Sequence, residues 1–274
     1  MKRPSRRVRV LTLALYAILI ICAAAILLRI LEYRAAANEY KAYEAIMSDV
    51  LEPAASALPK ATPGLAAGES GAAGEQISGA IPAVTQIPYF SPQIQTLKAS
   101  NSDTVGYLEI PDTAISYPVV RGSDNRYYET HTFAKRKNAS GAIFMDCKNA
   151  PDLGDFNIVI YGHNMKDGSM FHELIQYEKS AYLNKHRNIL LTGLYEKKTF
   201  YVFAAYTCEK AADVRGFGSK TDAQKQSFLN KILARSDIGM GTASPTTSSQ
   251  YLTLVTCREN SAGDYFVVHG VLAE

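Results

Sequence analysis

From residue 87 to the C-terminus, apolar residues come in short runs, many of them alternating and most rich in Val, Ile, Tyr and Phe. Such runs read as β-strands, because branched and aromatic side chains pack well on a half-buried pleated surface. Eight of them are predicted, at 105–110, 114–120, 141–145, 157–161, 189–192, 199–206, 251–255 and 265–268. Turn residues separate them, among them Pro111-Asp112, Gly122-Ser-Asp-Asn125 and Pro151-Asp-Leu-Gly154. Eight strands with few helices predict a mainly β domain, either a closed barrel or a sandwich. Two helical stretches interrupt the strands. One runs from Met170 to about Asn184; in the other, 222–235, Phe228, Leu229, Ile232 and Leu233 share a face behind Thr221 as N-cap.

The N-terminal third follows a different pattern. Residues 10–28 are uncharged and apolar over about the length one helix needs to cross a bilayer. Five basic residues lie in the preceding segment, 1–9, which by the positive-inside rule places that segment in the cytoplasm and the rest of the chain outside. No clear small-x-small cleavage site ends the run before Arg29, so an uncleaved anchor is expected over the alternative of a cleaved signal peptide. Residues 29–52 keep helical spacing through Tyr40, Tyr43, Ile46, Met47 and Val50, which predicts a helical stalk ended by Pro53. Residues 53–85 shift to Ala, Gly, Ser and Pro, a composition that reads as a flexible linker. On this reading the linker lets a folded domain at 86–274 stand tens of ångströms from the membrane, with a reach of about 5–6 Å times the square root of linker length.

Charge and cysteine content narrow the chemistry. The formal net charge of +3 comes from the N-terminal basic residues; without those five, 24 basic residues face 26 acidic ones, which leaves no excess for nucleic-acid binding. Four cysteines, at 22, 147, 208 and 257, are spaced neither as a disulfide framework nor as a CxxC metal site. Cys22 falls in the apolar run, so at least one of the other three is an unpaired thiol. Cys257, at the end of the run Tyr251-Leu-Thr-Leu-Val-Thr-Cys257, is the candidate.

A thiol becomes a strong nucleophile only with a base or positive field nearby. His163 is the candidate partner, since it follows Gly162 at the end of a predicted strand and precedes a polar turn. His131, His172, His186 and His269 lack that setting and read as surface or packing residues.

Tyr161-Gly-His-Asn-Met-Lys-Asp-Gly-Ser-Met-Phe171 together with Thr253-Leu-Val-Thr-Cys257 resembles the two active-site signatures of sortases, the membrane-anchored cysteine transpeptidases of Gram-positive bacteria. The resemblance runs from about Thr104 to the C-terminus and takes in Val105-Gly-Tyr-Leu-Glu-Ile-Pro111, Tyr117-Pro-Val-Val120, Asn125-Arg-Tyr-Tyr128 and Gly141-Ala-Ile-Phe-Met-Asp146. The helix before the Cys strand and the single N-terminal anchor resemble class B. The resemblance implies an eight-stranded sortase barrel, with Cys257 attacking the Thr carbonyl of a C-terminal sorting motif to form a thioacyl enzyme. His163 would serve as acid and then base, transferring the acyl group to an amine of a peptidoglycan precursor. It implies no metal and no organic cofactor. Its implied partners are surface proteins bearing the motif, and its implied location is the cell membrane with the catalytic domain outside.

One position departs from the family. Where sortases carry an arginine before the Val-Val pair of the last strand, this chain has Tyr265; Arg258, next to Cys257, is the alternative source of positive charge. This departure keeps a catalytically weakened, binding-only sortase fold as an alternative to the enzyme. A pilin-polymerising sortase is a second alternative, against which no lid-like segment precedes Thr104. A thiol-disulfide oxidoreductase would normally use a CxxC pair, which is absent.

Overall fold

The computed structural model describes residues 6–48, 89–209, 215–216, 221–236, 238–239, 244–257 and 264–273. Among these are eight strands and four helices. They are α1 (Arg6–Ser48), α2 (Pro92–Ser100), β1 (Thr104–Glu109), β2 (Ser116–Val120), β3 (Ile143–Met145), β4 (Asn157–Tyr161), α3 (Ser180–Lys185), β5 (Asn188–Thr192), β6 (Lys197–Cys208), α4 (Asp222–Arg235), β7 (Tyr251–Cys257) and β8 (Tyr265–Leu272). The strands close into a barrel in the spatial order β1-β2-β3-β4-β7-β8-β6-β5. Closure gives every one of these strands a partner on both sides.

Each predicted strand is present; 157–161 coincides with β4, and the others have an end moved by one to four residues. Between residues 170 and 184 the expected helix is a 3-10 segment at His172–Glu178 followed by the short α3. Helix α4 begins behind Thr221, whose side chain accepts from the backbone N–H of Gln224 while Gln224 returns a bond to the cap. This reciprocal pair satisfies two amides that the first helical turn leaves open. Helix α2 has no counterpart among the predicted elements. Its signals are Ser91, which caps the amide of Ile94, and Pro92 at the first helical position.

Two apolar layers result from the alternation of the strands. Ile158, Ile160, Leu252, Leu254, Phe266 and Val268 point into the barrel. Val159, Tyr251, Val255, Val267 and Val271 point outward and are covered by Phe228, Leu229 and Ile232 of α4. Within this outer layer lies a buried polar chain. Thr253 Oγ1 donates to Asn157 Oδ1 at 2.8 Å, so it accepts from His269 Nδ1 at 2.9 Å, and His269 Nε2 in turn accepts from the Tyr206 hydroxyl at 3.0 Å.

Helix α1 divides into two parts. From Val10 to Leu28 its large apolar side chains are exposed, as an unpartnered bilayer-length helix requires. Further on, Ala36 and Tyr40 are buried against the barrel, and Tyr33, Tyr43, Ile46 and Met47 pack beside them. The stalk is therefore no free spacer. Its apolar stripe, spaced by threes and fours, finds its partner in the barrel wall, where the Tyr40 ring meets Tyr117 edge-on and Tyr43 meets Phe133. The expected linker at 53–85 lies outside the described residues.

Candidate active site

Strand pairing brings the candidate residues together. β4 and β7 are parallel, with Asn157 opposite Tyr251 and Tyr161 opposite Val255. Two residues beyond that last pair, in the same direction, come His163 and Cys257. β8 runs back beside β7 with Tyr265 directly opposite Cys257. A crevice of about 100 Å³ at this end of the barrel is lined by Cys257, His163 and Tyr265, together with Glu129, Phe144, Tyr161, Gly162, Val255 and Thr256. Cys257, His163 and Tyr265 thus share one site, while Arg258 lies outside the described residues.

Packing and hydrogen bonds fix the histidine loop. Gly162 donates to Val255 O at 3.2 Å, and a Cβ in its place would lie 2.4 Å from Ile143 Cδ1 and 2.8 Å from the Phe171 ring. Any larger residue there would have to displace the Ile143 side chain and the Phe171 ring. The loop closes where the amide of Phe171 donates to His163 O at 2.9 Å. On the ring, His163 Nε2 donates to the backbone carbonyl of Glu129 at 2.7 Å, since a carbonyl can only accept. That bond selects the Nε2–H tautomer and leaves Nδ1 as the nitrogen able to take up a proton.

The cysteine sits at the exposed end of β7, and its surroundings oppose ionisation. Crowding of the crevice around the sulfur pushes the thiol up from its ordinary value of 9.0, and the negative charge of Glu129 pushes it further the same way. Asn164 holds the backbone on the other side, its Nδ2 donating to Cys257 O at 3.0 Å while its Oδ1 lies 2.7 Å from His172 Nδ1. Below the crevice the Tyr161 hydroxyl donates to the fully buried carboxylate of Asp146 at 2.8 Å and accepts from Arg215 Nε at 2.7 Å. The arginine also lies over the Tyr161 ring, 5.7 Å from its centre. Such a site can ionise a thiol by moving its proton to the neighbouring imidazole, and it can then return that proton to a leaving group.

Sequence reasoning missed Glu129, Asn164 and His172 as members of the site. Asn164 adjoins the candidate histidine, and Glu129 follows Asn125-Arg-Tyr-Tyr128 directly, so both stood at the edge of recognised stretches. His172 had no local signal, because its partner Asn164 meets it only through the turn between them. Of the remaining histidines, His269 and His186 are buried, and His131 stacks on Tyr127 with ring centres 4.1 Å apart.

Comparison with known proteins agrees with this architecture. The sortase domain family matches residues 108–273. Sortase B of Listeria monocytogenes is 34% identical over 168 residues, covering 60% of this chain and 67% of that one. A Staphylococcus aureus sortase B-substrate complex superposes with a TM-score of 0.62 at 28% identity, covering 68% of this chain and 87% of the other. A sortase B complexed with triglycine superposes with a TM-score of 0.63 at 28% identity, covering 67% and 86%. With its closed eight-stranded barrel and a family match over more than half its length, the chain belongs to the sortase family and is similar to its class B members, a family of transpeptidases.

Proposed function

We propose that this chain is a class B-type cysteine transpeptidase in which Cys257 is the nucleophile and His163 the acid and base. The observation that carries the reading is the parallel register of β4 and β7, which runs both residues out of the barrel wall into one crevice. The Cys257 thiol gives its proton to His163 as Sγ bonds to the Thr carbonyl carbon of a sorting motif. The tetrahedral intermediate then expels the amine of the next residue, which takes the proton from His163 and leaves a thioester on Cys257. An incoming amine attacks the thioester, His163 removes its proton, and the Cys257 thiolate departs and is reprotonated by His163. The raised thiol favours a neutral cysteine before substrate arrives, so ionisation accompanies attack. No metal or organic cofactor has a part in these steps.

The acyl donors are surface proteins bearing a sorting motif, a reading supported by the substrate complex of the similar sortase B. The acceptor is an amine of a cell-wall precursor, which the triglycine complex supports as a class of ligand. The basic residues before the apolar run support a topology with residues 1–9 in the cytoplasm and the barrel outside the membrane.

Incubating the full chain in detergent micelles with a sorting-motif peptide, followed by intact-mass measurement, tests the reading. A thioester adduct on Cys257 is expected, released by triglycine and absent from Cys257→Ala. His163→Ala should slow acylation by about 10²–10⁴-fold, the usual contribution of a positioned acid and base. Tyr265 opposite Cys257 favours a second reading, a binding module without turnover. Peptide binding with no adduct would select it.

A further inference from the structure

The packed part of α1 grips the segment that orients His163. The Glu39 carboxylate is nearly buried, with 5% of its side chain exposed, and faces the loop that follows Glu129. Its Oε1 accepts from the backbone N–H of Ala134 at 2.9 Å, and its Oε2 accepts from Thr132 Oγ1 at 3.1 Å and from the Arg136 guanidinium at 2.7 Å. One residue on, the Tyr40 hydroxyl donates to Gly141 O at 2.7 Å and accepts from the amide of Phe133 at 3.3 Å. Nearer the membrane-spanning part, the carbonyl of Glu32 accepts from Asn138 Nδ2 at 3.0 Å. Bonds from one helix thus hold a single loop at Thr132, Phe133, Ala134, Arg136, Asn138 and Gly141.

That loop passes directly under the carbonyl used by His163. Gly141 adopts a φ of +57°, and a Cβ there would lie 2.7 Å from Glu129 O and 2.6 Å from Tyr128 O. Ala142 donates to Tyr128 O and Asn138 donates to Thr130 O, each at 2.9 Å, so both sides of Glu129 are tied to the same loop. From Tyr40 the path runs by hydrogen bond to Gly141, across the close approach of Gly141 to the Glu129 carbonyl, and by hydrogen bond from that carbonyl to His163.

We infer that Glu39 and Tyr40 are positioning residues for His163: the helix that leaves the membrane sets the height of the Glu129 carbonyl and, through it, the tautomer and orientation of the imidazole. The inference rests on the proposed acid–base role of His163, but the position of the ring can be read without turnover. Among the described residues, the titratable groups that line the crevice with His163 are Cys257, Glu129, Tyr161 and Tyr265, and none of them is altered by substitutions on α1.

The test uses the full chain in micelles with ¹⁵N-labelled histidine. Tyr40→Phe keeps the ring packed on Tyr117 and removes only the hydroxyl; Glu39→Ala removes the carboxylate, and Glu39→Gln retains one acceptor oxygen. In the parent protein the His163 ring is expected as the Nε2–H tautomer, shifting toward a mixture in Tyr40→Phe and Glu39→Ala. Acylation kcat should fall about tenfold in both with KM for the peptide little changed, the split expected when orientation is lost and binding is kept. Glu39→Gln should recover part of the loss. A tautomer signal unchanged in Tyr40→Phe and in folded Glu39→Ala overturns the inference, whatever happens to the melting temperature. Absence of acylation in the parent protein would instead count against the proposed function and leave the tautomer comparison to decide this point.

Discussion

His269 offers a direct measure of how the outer layer of the barrel is held. Its ring is fully buried beneath α4 between Thr253 and Tyr206, and burial alone lowers it from the ordinary 6.5 to about 3. The folded chain therefore refuses a proton that the unfolded chain accepts below pH 6.5. A stabilising contribution is complete above that value and is lost as pH falls from 6.5 toward about 3. Each pH unit in that window costs about 1.4 kcal/mol, so by pH 5 the loss from this one ring reaches about 2 kcal/mol. Against a total stability of about 5–15 kcal/mol that is easily measured.

The comparison that isolates it is His269→Gln, which cannot titrate yet can still bond to part of the network. Urea unfolding, followed by near-ultraviolet circular dichroism of the tyrosines at pH 7 and pH 5, gives both stabilities. Glutamine is expected to be the weaker residue at pH 7, because one buried bond mismade costs about 1–3 kcal/mol. The parent should then lose about 2 kcal/mol more than the variant on moving to pH 5. Carboxylate titrations occur in both proteins and cancel in the difference. Parallel loss in the two would refute the buried neutral histidine.

Three further outcomes concern the site. Gly162→Ala should cost about 1–3 kcal/mol from overpacking against Ile143 and Phe171, and it should slow acylation about a hundredfold by moving the His163 loop, as read by thermal melting and peptide turnover. Full turnover in a destabilised variant would separate the packing from the chemistry. Glu129→Gln removes the charge beside Cys257, so the thiol should titrate at lower pH when its alkylation by iodoacetamide is followed across pH; an unmoved curve would leave crowding as the sole cause. Tyr265→Arg should raise acylation about tenfold or more by adding a charged donor opposite Cys257. Tyr265→Phe should lower it and Arg258→Ala should change little; no effect from any of the three would remove both residues from the oxyanion.

Much of the barrel was legible because its strands obey local rules. Short runs of branched and aromatic residues, many of them alternating, mark each one, and the capping box at Thr221 marks the start of α4 within a residue. What local rules do not contain is partnership. The β4–β7 pairing that builds the crevice joins segments more than ninety residues apart, and it was the strand-end setting of His163, strengthened by the resemblance, that connected it to Cys257, not the periodicity. Glu39 was hidden for a related reason. On a helix of this composition a glutamate reads as a solvated charge, and its partners include a backbone amide, a hydroxyl and a largely exposed arginine of a distant loop, none of which leaves a sequence signal.

The docked helix also changes what the N-terminal third can do. A spacer of flexible chain between anchor and enzyme would make reach a matter of linker length. Here the buried contacts begin at Ala36, eight residues past Leu28, or about 12 Å along a helix rising about 1.5 Å per residue. A helix crossing the bilayer over 10–28 would therefore hold the barrel close to the membrane surface, in an orientation set by the contacts of Glu39, Tyr40 and Tyr43. Residues 53–85 then connect two segments, α1 and α2, that are both packed, and the length of that connection does not determine where the crevice stands. Since the same helix holds the loop behind Glu129, the contacts that fix the height of the enzyme also orient its histidine, and cutting the chain before residue 86 would remove both at once.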